Sequence, residues 1–280
     1  MTPARAPLLL ALDLDGTLID RTLRVAPRVQ EAIARARERG VRATIVTGRM
    51  FVAAQPFARL LGIDGPIVCY QGAAVYDAGN GRRLRETPLA HDVAIRVVER
   101  AKRDGYHAQL YHDDEFYAEA NNKYSALYAE LAGIKPIIVP SLAAEFAGRD
   151  STKCNIIMEP ERTAAYVEVV RAVCGEEGYV TRSNPEFIEV MNPRVDKGAA
   201  LRFVAAQYGV PMERVLAIGD SFNDIPLFRA AGFSVAMGSS PGELKAVASA
   251  IVADYAGDGV AEAVERFVLH GSAQSGGAAP

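Results

Sequence analysis

The stretch that decides the fold is residues 8–17, LLLALDLDGT. Its first five residues form an unbroken apolar run, which is typical of a β-strand buried on both faces. Asp13 and Asp15 end the run, and Gly16 and Thr17 follow. The sequence therefore predicts a buried strand that carries two carboxylates at its carboxyl end.

The residues after this strand repeat the arrangement. A helix is predicted to begin at Pro27 and to end at Gly40, because proline favours the first helical turn and glycine the position after the last. The β-branched run 41–46 then predicts a second strand, which ends in the polar residues 47–49, TGR. A third run, 67–70, precedes Gln71 and repeats the pattern. Because the carboxyl ends of parallel strands meet at one edge of a sheet, we expect these polar residues to share a crevice.

The middle of the chain has a different character. Between about Gly79 and Asn192, helical segments alternate with strands of alternating polarity, which predicts an inserted α+β unit. A helix from Lys197 and a buried strand at 215–218 then resume the first pattern. We therefore predict an α/β protein, a Rossmann-like core with a parallel sheet and an insert. The predicted parts are a core of residues 1–80 and 193–270, an insert of residues 81–192, and a disordered Gly/Ser/Ala-rich tail of residues 271–280.

Four polar clusters follow predicted strands or begin predicted helices. They are Asp13/Asp15/Thr17, Thr47/Gly48/Arg49, Asp196/Lys197/Gly198 and Asp220/Asn223/Asp224. In one crevice, the carboxylates of Asp13, Asp15 and Asp220 would raise one another's pKa unless a cation compensated their charge. Oxygen ligands without histidine or cysteine favour Mg²⁺, which commonly binds a substrate phosphate as well. The sequence therefore predicts a magnesium site that accepts a phosphorylated small molecule.

These four motifs, in this order, resemble those of the haloacid dehalogenase (HAD) superfamily. The resemblance spans nearly the whole chain, and the insert between the second and third motifs is similar to the type IIB (C2b) cap of the Cof-type sugar-phosphatase branch. It implies a Mg²⁺-dependent phosphatase that hydrolyses a small phosphorylated metabolite, such as a sugar phosphate, through an aspartyl-phosphate. The insert is accordingly called the cap below.

The resemblance also implies roles for individual residues. Asp13 would be the nucleophile, and Asp15 would be the general acid that protonates the leaving alcohol and then activates water. Arg49 either lines the substrate pocket or forms a structural salt bridge, and Gln71 is a second candidate for lining the pocket. The implied metal ligands are Asp13, Asp15 and Asp220, with Asp224 behind them. The implied phosphate-binding residues are Thr17, Thr47, Gly48, Lys197 and Asn223.

Substrate preference is expected to reside in the cap, because the core residues would contact only the metal and the phosphoryl group that all substrates share. The polar cap candidates are Lys153, Asn155, Asn184 and Glu189. The chain departs from the family at Gln71, where asparagine is frequent, and at Ser239-Ser240, where Asn-Ala is frequent. These departures bear on substrate preference rather than on the chemistry.

Two other functions remain open at this point. A phosphomutase of the same superfamily would return the phosphoryl group to its substrate instead of passing it to water. A signalling receiver also combines clustered aspartates, threonine and lysine around Mg²⁺, although Asp15 would make its phospho-aspartate short-lived. The acidic run 112–115, HDDE, is interpreted as a solvated hairpin turn and not as a second metal site.

Composition excludes several classes of protein. The 280 residues carry a formal net charge of −3, so a basic excess that would attract nucleic acid or an anionic membrane is missing. Cys69, Cys154 and Cys174 are far apart, which does not support a disulfide framework and fits a reducing cytoplasm. No apolar run approaches the length that spans a bilayer. We expect a cytoplasmic monomer or homodimer that acts on a small molecule.

Overall fold

The computed structural model describes residues 2–20, 22–182 and 184–270 of the chain. The predicted tail, residues 271–280, lies outside these residues. The described strands are β1 (Leu9–Leu12), β2 (Arg42–Ile45), β3 (Pro66–Cys69), β4 (Ala74–Asp77), β5 (Arg83–Glu86), β6 (His107–His112), β7 (Glu115–Ala118), β8 (Ile137–Ile138), β9 (Cys154–Ile157), β10 (Tyr179–Thr181), β11 (Phe187–Met191), β12 (Val215–Gly219), β13 (Phe233–Ala236) and β14 (Ala250–Ile251).

Helices alternate with these strands over most of the chain. They are α1 (Pro27–Glu38), α2 (Phe51–Leu60), α3 (His91–Arg103), α4 (Lys123–Ala132), α5 (Leu142–Glu145), α6 (Pro160–Cys174), α7 (Lys197–Gln207), α8 (Ile225–Ala230), α9 (Gly242–Val247) and α10 (Gly259–Val264). Among the described residues, no helix has the length and apolar character that a membrane crossing requires.

A five-stranded parallel sheet forms the centre of the core, with the order β14-β13-β12-β1-β2. Successive residues of β1 point to opposite faces, as strand geometry requires. Leu10 and Leu12 pack with α1 and α10, whereas Leu9 and Ala11 pack with α7, α8 and α9. The predicted α/β core, with helices on both faces of a parallel sheet, is therefore confirmed.

The third predicted strand joins this sheet through a single parallel bridge, between Val46 and Val68. Its ladder partner is β4, and β3, β4 and β5 form a separate antiparallel sheet. The chain reverses immediately after β3, where Tyr70 and Gln71 have positive φ values of 53° and 59°. Periodicity does not reveal such a reversal, because it depends on the backbone conformation of these two residues. The predicted boundary between residues 80 and 81 falls between β4 and β5, and the division into core and cap stays a prediction.

The cap contains a six-stranded sheet with the order β10-β11-β9-β6-β7-β8. One of its faces packs against α3, α5 and α6 in an apolar cluster of its own. The other face contributes Tyr111, Phe116, Ile157 and Phe187 to the same apolar cluster as the helices of the core. This second face is therefore the side of the cap that meets the core.

The acidic run at 112–115 forms the predicted hairpin turn between β6 and β7. Asp113 and Glu115 are exposed as predicted, whereas Asp114 is partly buried against the core. The carboxylate of Asp114 accepts hydrogen bonds from the backbone N–H groups of Phe51 and Val52, at 2.8 and 2.7 Å. It also accepts one from the Tyr70 hydroxyl at 2.8 Å. Met50, which precedes α2, supplies no side-chain cap. The cap hairpin therefore caps the first turn of a core helix, a tertiary contact that turn propensity does not contain.

Replacing Asp114 with alanine is expected to reduce the free energy of unfolding by about 1–2 kcal/mol, since two helix N–H groups lose their acceptor. Urea denaturation followed by circular dichroism measures this change. The matched control is Asp113→Ala, because Asp113 is exposed and forms a surface ion pair with Arg83 at 3.0 Å. Both positions have a positive φ, 49° at Asp113 and 61° at Asp114, so the backbone cost of alanine is common to the two variants, and the control is expected to lose about 1–2 kcal/mol less than Asp114→Ala. Equal losses in the two variants would contradict the capping role.

Candidate active site

Two aspartates meet at the carboxyl ends of the central strands. Asp13 follows β1 directly and Asp220 follows β12 directly, and the register of these neighbouring strands pairs Leu12 with Ile218. The Asp13 N–H also donates to the Ile218 carbonyl at 2.9 Å. Gly16 lies against Asp220 so closely that a Cβ atom there would stand less than 3.0 Å from its carboxylate. The loop after β1 therefore needs glycine at this position in order to fold over Asp220.

Lys197 joins this pair to a third carboxylate. Its Nζ lies 2.5 Å from Asp13 Oδ1 and 2.6 Å from Asp224 Oδ1, and all three side chains are almost fully buried. Lys197 begins α7, whose first turn is capped by Asp196 through the Ala199 N–H at 2.6 Å. Burial disfavours the charged ammonium, but the carboxylates of Asp13 and Asp224 outweigh it and raise the pKa of Lys197. Lys197 is therefore a permanent cation of the site.

The carboxylates of Asp13, Asp220 and Asp224 form one cluster. One oxygen from each lies within 4.8 Å of the others. Burial, followed by the charge of Asp224, raises the pKa of Asp13 well above its ordinary value and that of Asp220 to about 6. Three carboxylates against one ammonium leave a charge of −2 in a mostly buried space. A divalent cation would neutralise that charge.

The donor set fits Mg²⁺, because it consists of oxygens and Thr17 Oγ1 donates to Asp220 Oδ1 at 3.3 Å beside it. Asp224 has little freedom to bind a cation directly. Its Oδ1 accepts from Lys197, and its Oδ2 accepts from the backbone N–H groups of Asp220 and Ser221 at 3.0 and 3.1 Å. Asp224 is thus placed to hold the residues around a cation in position.

The structure places Asp15 outside this cluster, at the entrance of the site. Its side chain is 49% exposed and forms a two-pronged ion pair with Arg49, with nitrogen–oxygen distances of 2.9 Å (Nε) and 2.7 Å (Nη2). Arg49 also donates to the Leu131 carbonyl of α4 in the cap, at 3.3 Å. The arginine therefore forms the salt bridge that the sequence left as an alternative, within the core, and a separate hydrogen bond joins it to the cap.

Thr47 and Gly48 follow β2 at the same edge of the sheet. Thr47 is buried, and its Oγ1 accepts a hydrogen bond from the Arg49 N–H at 3.1 Å. A Cβ atom on Gly48 would stand less than 3.0 Å from the Gln71 side-chain amide. The carbonyl of Gly48 accepts from Lys153 Nζ of the cap at 3.3 Å.

Gln71 is buried between the core and the cap. Its Oε1 accepts from Asn223 Nδ2 at 3.0 Å, and its Nε2 donates to Glu189 Oε2 at 2.9 Å. Asn223 Oδ1 has no hydrogen-bond partner within the described residues. The bond to Gln71 uses one of the two N–H donors of Asn223 Nδ2, so the other remains available for a phosphate.

The four cap residues singled out from the sequence fall into two groups. Lys153, Asn155 and Glu189 are buried on the face of the cap sheet that meets the core, whereas Asn184 is exposed in the turn before β11. Sequence reasoning missed the tyrosines that surround Lys153. The rings of Tyr70, Tyr111 and Tyr128 have their centroids 5.7, 4.9 and 5.9 Å from Lys153 Nζ. The sequence contained one signal for Tyr111: side chains alternate along a strand, so Gln109 and Tyr111 of β6 lie on the same face.

Comparisons with known proteins agree with this geometry. The profile of the haloacid dehalogenase-like hydrolases matches residues 10–264. Pyridoxal phosphate phosphatase of Escherichia coli is 32% identical over 269 residues, which cover 93% of this chain and 98% of that one. The 5-amino-6-(5-phospho-D-ribitylamino)uracil phosphatase of Bacillus subtilis is 29% identical, over 93% of this chain and 96% of that one. A crystal structure from Thermotoga maritima superposes with a TM-score of 0.81 at 27% identity, covering 93% of this chain and 97% of that chain.

In buffer without divalent cations, the stability of the protein is expected to increase as the pH falls from 7.5 to 5. The pKa of Asp220 is about 6 in the folded protein and 3.8 ordinarily, so the folded protein binds a proton there that the unfolded chain does not. Its contribution is fully present below about pH 4 and is lost as the pH rises through 6. For Asp220 the gain between pH 7.5 and 5 is about 1 kcal/mol.

Chemical denaturation of the wild type and of Asp220→Asn at both pH values isolates this contribution. The difference in pH dependence between the two proteins is the quantity of interest, because other carboxylates titrate in both. We expect the variant to lose most of the gain at pH 5. A variant that keeps the full gain would show that Asp220 does not titrate in this range.

Proposed function

The chain belongs to the haloacid dehalogenase-like hydrolase family, and from this membership we propose that it hydrolyses phosphomonoesters with the help of Mg²⁺ through an aspartyl-phosphate on Asp13. Its class is a phosphatase of small phosphorylated metabolites, as its named relatives are. The observation that carries the proposal is the contact of Lys197 with Asp13 and Asp224 at the carboxyl end of β1. It provides a carboxylate nucleophile next to a fixed positive charge.

In the first half of the reaction, a carboxylate oxygen of Asp13 attacks the phosphorus atom and the bond from phosphorus to the leaving oxygen breaks. Lys197 lowers the pKa of Asp13 against the effect of burial and so favours its ionised form, and its charge also offsets that of the incoming phosphoryl group. Asp15 donates a proton to the leaving alcohol. Asp15 stands at the exposed entrance, so its ion pair with Arg49 has to open and its carboxylate has to take up a proton from solvent before it acts as the acid.

In the second half, Asp15 takes a proton from a water molecule, which attacks the phosphorus atom of the aspartyl-phosphate. The bond between Asp13 and phosphorus breaks, inorganic phosphate leaves and Asp13 returns to its carboxylate form. The same residue thus acts first as acid and then as base. A phosphomutase would pass the phosphoryl group to a second substrate at this stage, so measuring inorganic phosphate distinguishes the two outcomes.

We assign phosphate binding to Thr17, Thr47 and Gly48, because they lie in the loops that follow β1 and β2, at the same edge of the sheet as Asp13. Asn223 supports the loop through Gln71. Mg²⁺ would be held by Asp13, Asp220 and the backbone carbonyl of Asp15, with Asp224 behind them, and when bound it supplies positive charge to the phosphoryl oxygens. The substrates named for the relatives, pyridoxal phosphate and a phosphoribityl-aminouracil, make phosphate esters of polar ring or polyol compounds the first candidates to assay.

Replacing Asp13 with asparagine is expected to lower kcat at least about 1,000-fold, since the nucleophile is removed while the side-chain volume hardly changes. Asp15→Asn is expected to slow the hydrolysis of the intermediate, so acid quenching followed by mass spectrometry detects a phosphorylated Asp13. Phosphate release from p-nitrophenyl phosphate measures both rates. The control is Asp92→Asn, an exposed aspartate of α3 paired with Arg96, whose kcat should remain unchanged. An Asp13→Asn rate within tenfold of wild type would disprove the nucleophile.

Removal of divalent cations with EDTA is expected to abolish turnover, and added Mg²⁺ is expected to restore it. Without metal, charge repulsion among Asp13, Asp220 and an incoming phosphate opposes binding. Thermal unfolding with and without Mg²⁺ gives a second measurement, because a ligand of the folded state raises the midpoint. Turnover that persists after thorough chelation would contradict the metal requirement.

A further inference from the structure

The cap holds a buried ion pair that the proposed mechanism does not use. Lys153 precedes β9, Glu189 lies in β11, and each residue is 1% exposed. Lys153 Nζ bonds to Glu189 Oε1, and both residues also reach the core. Lys153 donates to the Gly48 carbonyl at 3.3 Å, and Glu189 accepts from Gln71 Nε2 at 2.9 Å. One ion pair of the cap therefore contacts the loops after β2 and β3 of the core.

The contact of Lys153 fixes a peptide group of the predicted phosphate-binding loop. The Gly48 carbonyl and the Arg49 N–H belong to the same planar peptide unit. Lys153 bonds to the carbonyl side, and the N–H side donates to Thr47 Oγ1 at 3.1 Å. Because Thr47 Oγ1 accepts the hydrogen bond from Arg49, the Thr47 hydroxyl proton points elsewhere and can be donated to another acceptor. Lys153 thus contacts, through one peptide, the group that orients the Thr47 hydroxyl.

The contact of Glu189 extends to the other side of the site. Gln71 is held in a left-handed conformation, with φ 59°, and its Nε2 lies against Gly48. Its Oε1 accepts from Asn223, which shares a single helical turn, Phe222–Asp224, with Asp224. Asp224 in turn holds Lys197. A continuous series of contacts therefore runs from Glu189 to the partner of the nucleophile.

Stability alone does not account for a buried ion pair at this place. Removing two charges from water costs free energy that their mutual attraction often does not return, and an apolar pair of similar volume is often equally stable or more stable. The tyrosine rings around Lys153 would pack against such an apolar pair as well. What only the polar pair provides is direction, because its hydrogen bonds orient Gly48 and Gln71.

We propose that Lys153 and Glu189 are positioning residues for phosphoryl transfer, which fix the Thr47–Gly48 loop and Gln71 from the cap. The phosphate-binding geometry of the core is then complete only when the cap sheet is seated on it. The role rests on the proposed function, because it concerns the same phosphoryl site. It differs from recognition of the leaving group, since the residues that the pair orients would contact the phosphoryl group that every substrate shares.

The test replaces the pair with apolar residues of similar size, Lys153→Met with Glu189→Leu. With p-nitrophenyl phosphate as substrate, we expect kcat to fall about 100-fold, because a small displacement of a positioning group has an effect of this size. We also expect the inhibition constant of inorganic phosphate to rise about tenfold. Circular dichroism and the thermal midpoint establish that the double variant is folded.

The matched control is Glu168→Leu with Arg171→Met, an exposed ion pair of α6 with a separation of 2.6 Å. Its kcat and phosphate inhibition should equal those of wild type. Gln71→Met is a second test that leaves both charges in place, and it remains informative if the double variant does not fold. It should lower kcat at least tenfold, and combining it with the double variant should lower kcat by no more than a further threefold, because the three residues act in series.

The outcomes separate the alternatives. A folded double variant with kcat and phosphate inhibition within twofold of wild type overturns the proposal, and so does a loss confined to substrates with polar leaving groups. A lower thermal midpoint with unchanged kinetics also overturns it, since that is the result of a merely structural pair. Loss of activity toward p-nitrophenyl phosphate, together with weaker phosphate inhibition, supports it. Failure of the proposed function is distinguishable, because it shows as retained activity in Asp13→Asn whatever the cap variants do.

Discussion

The contact on which the rest of the structure depends is the buried ammonium of Lys197 between Asp13 and Asp224. Without that cation, two carboxylates would be buried beside each other, a cost that neither apolar packing nor a single hydrogen bond offsets. The contact joins segments that are 184 and 27 residues apart in the chain. It therefore ties the first strand of the core to the part that follows the cap, and the two parts of the core fold as one sheet around it.

Close approach of the backbone is the second constraint on the site. At Gly198 and Gly219, an added Cβ atom would stand less than 3.0 Å from Pro226 and Asp224, respectively. The start of α7 and the end of β12 can converge on the loop that carries Asp224 only because these positions lack a side chain. Gly16 makes the same contribution opposite Asp220, where its φ of +81° also favours glycine. The glycines of the motifs thus bring charged groups together rather than merely forming turns.

The sequence predicted the sheet correctly where an apolar run is followed directly by polar residues. The apolar run before Asp13, the β-branched run before Thr47 and the buried strand before Asp220 predicted a parallel sheet with polar residues at one edge, and the structure has that sheet. The contacts between cap and core were not predictable in this way. Asp114 follows every rule of an exposed turn, yet it caps α2, because its surroundings come from residues about 60 positions away. The partners of Gln71 likewise come from segments 118 and 152 residues away, a distance over which periodicity carries no information.

Directional polar contacts join the cap to the core beside the apolar cluster that the two parts share. Asp114 with α2, Arg49 with Leu131 and Glu189 with Gln71 are all directional hydrogen bonds. The net contribution of such a bond is only about 1 kcal/mol, since water replaces the partner when the surfaces separate. An interface of the same size made of apolar residues alone would be harder to open, because its whole area would have to be exposed to water. The same bonds that orient Gly48 and Gln71 in our proposal therefore also join the cap to the core.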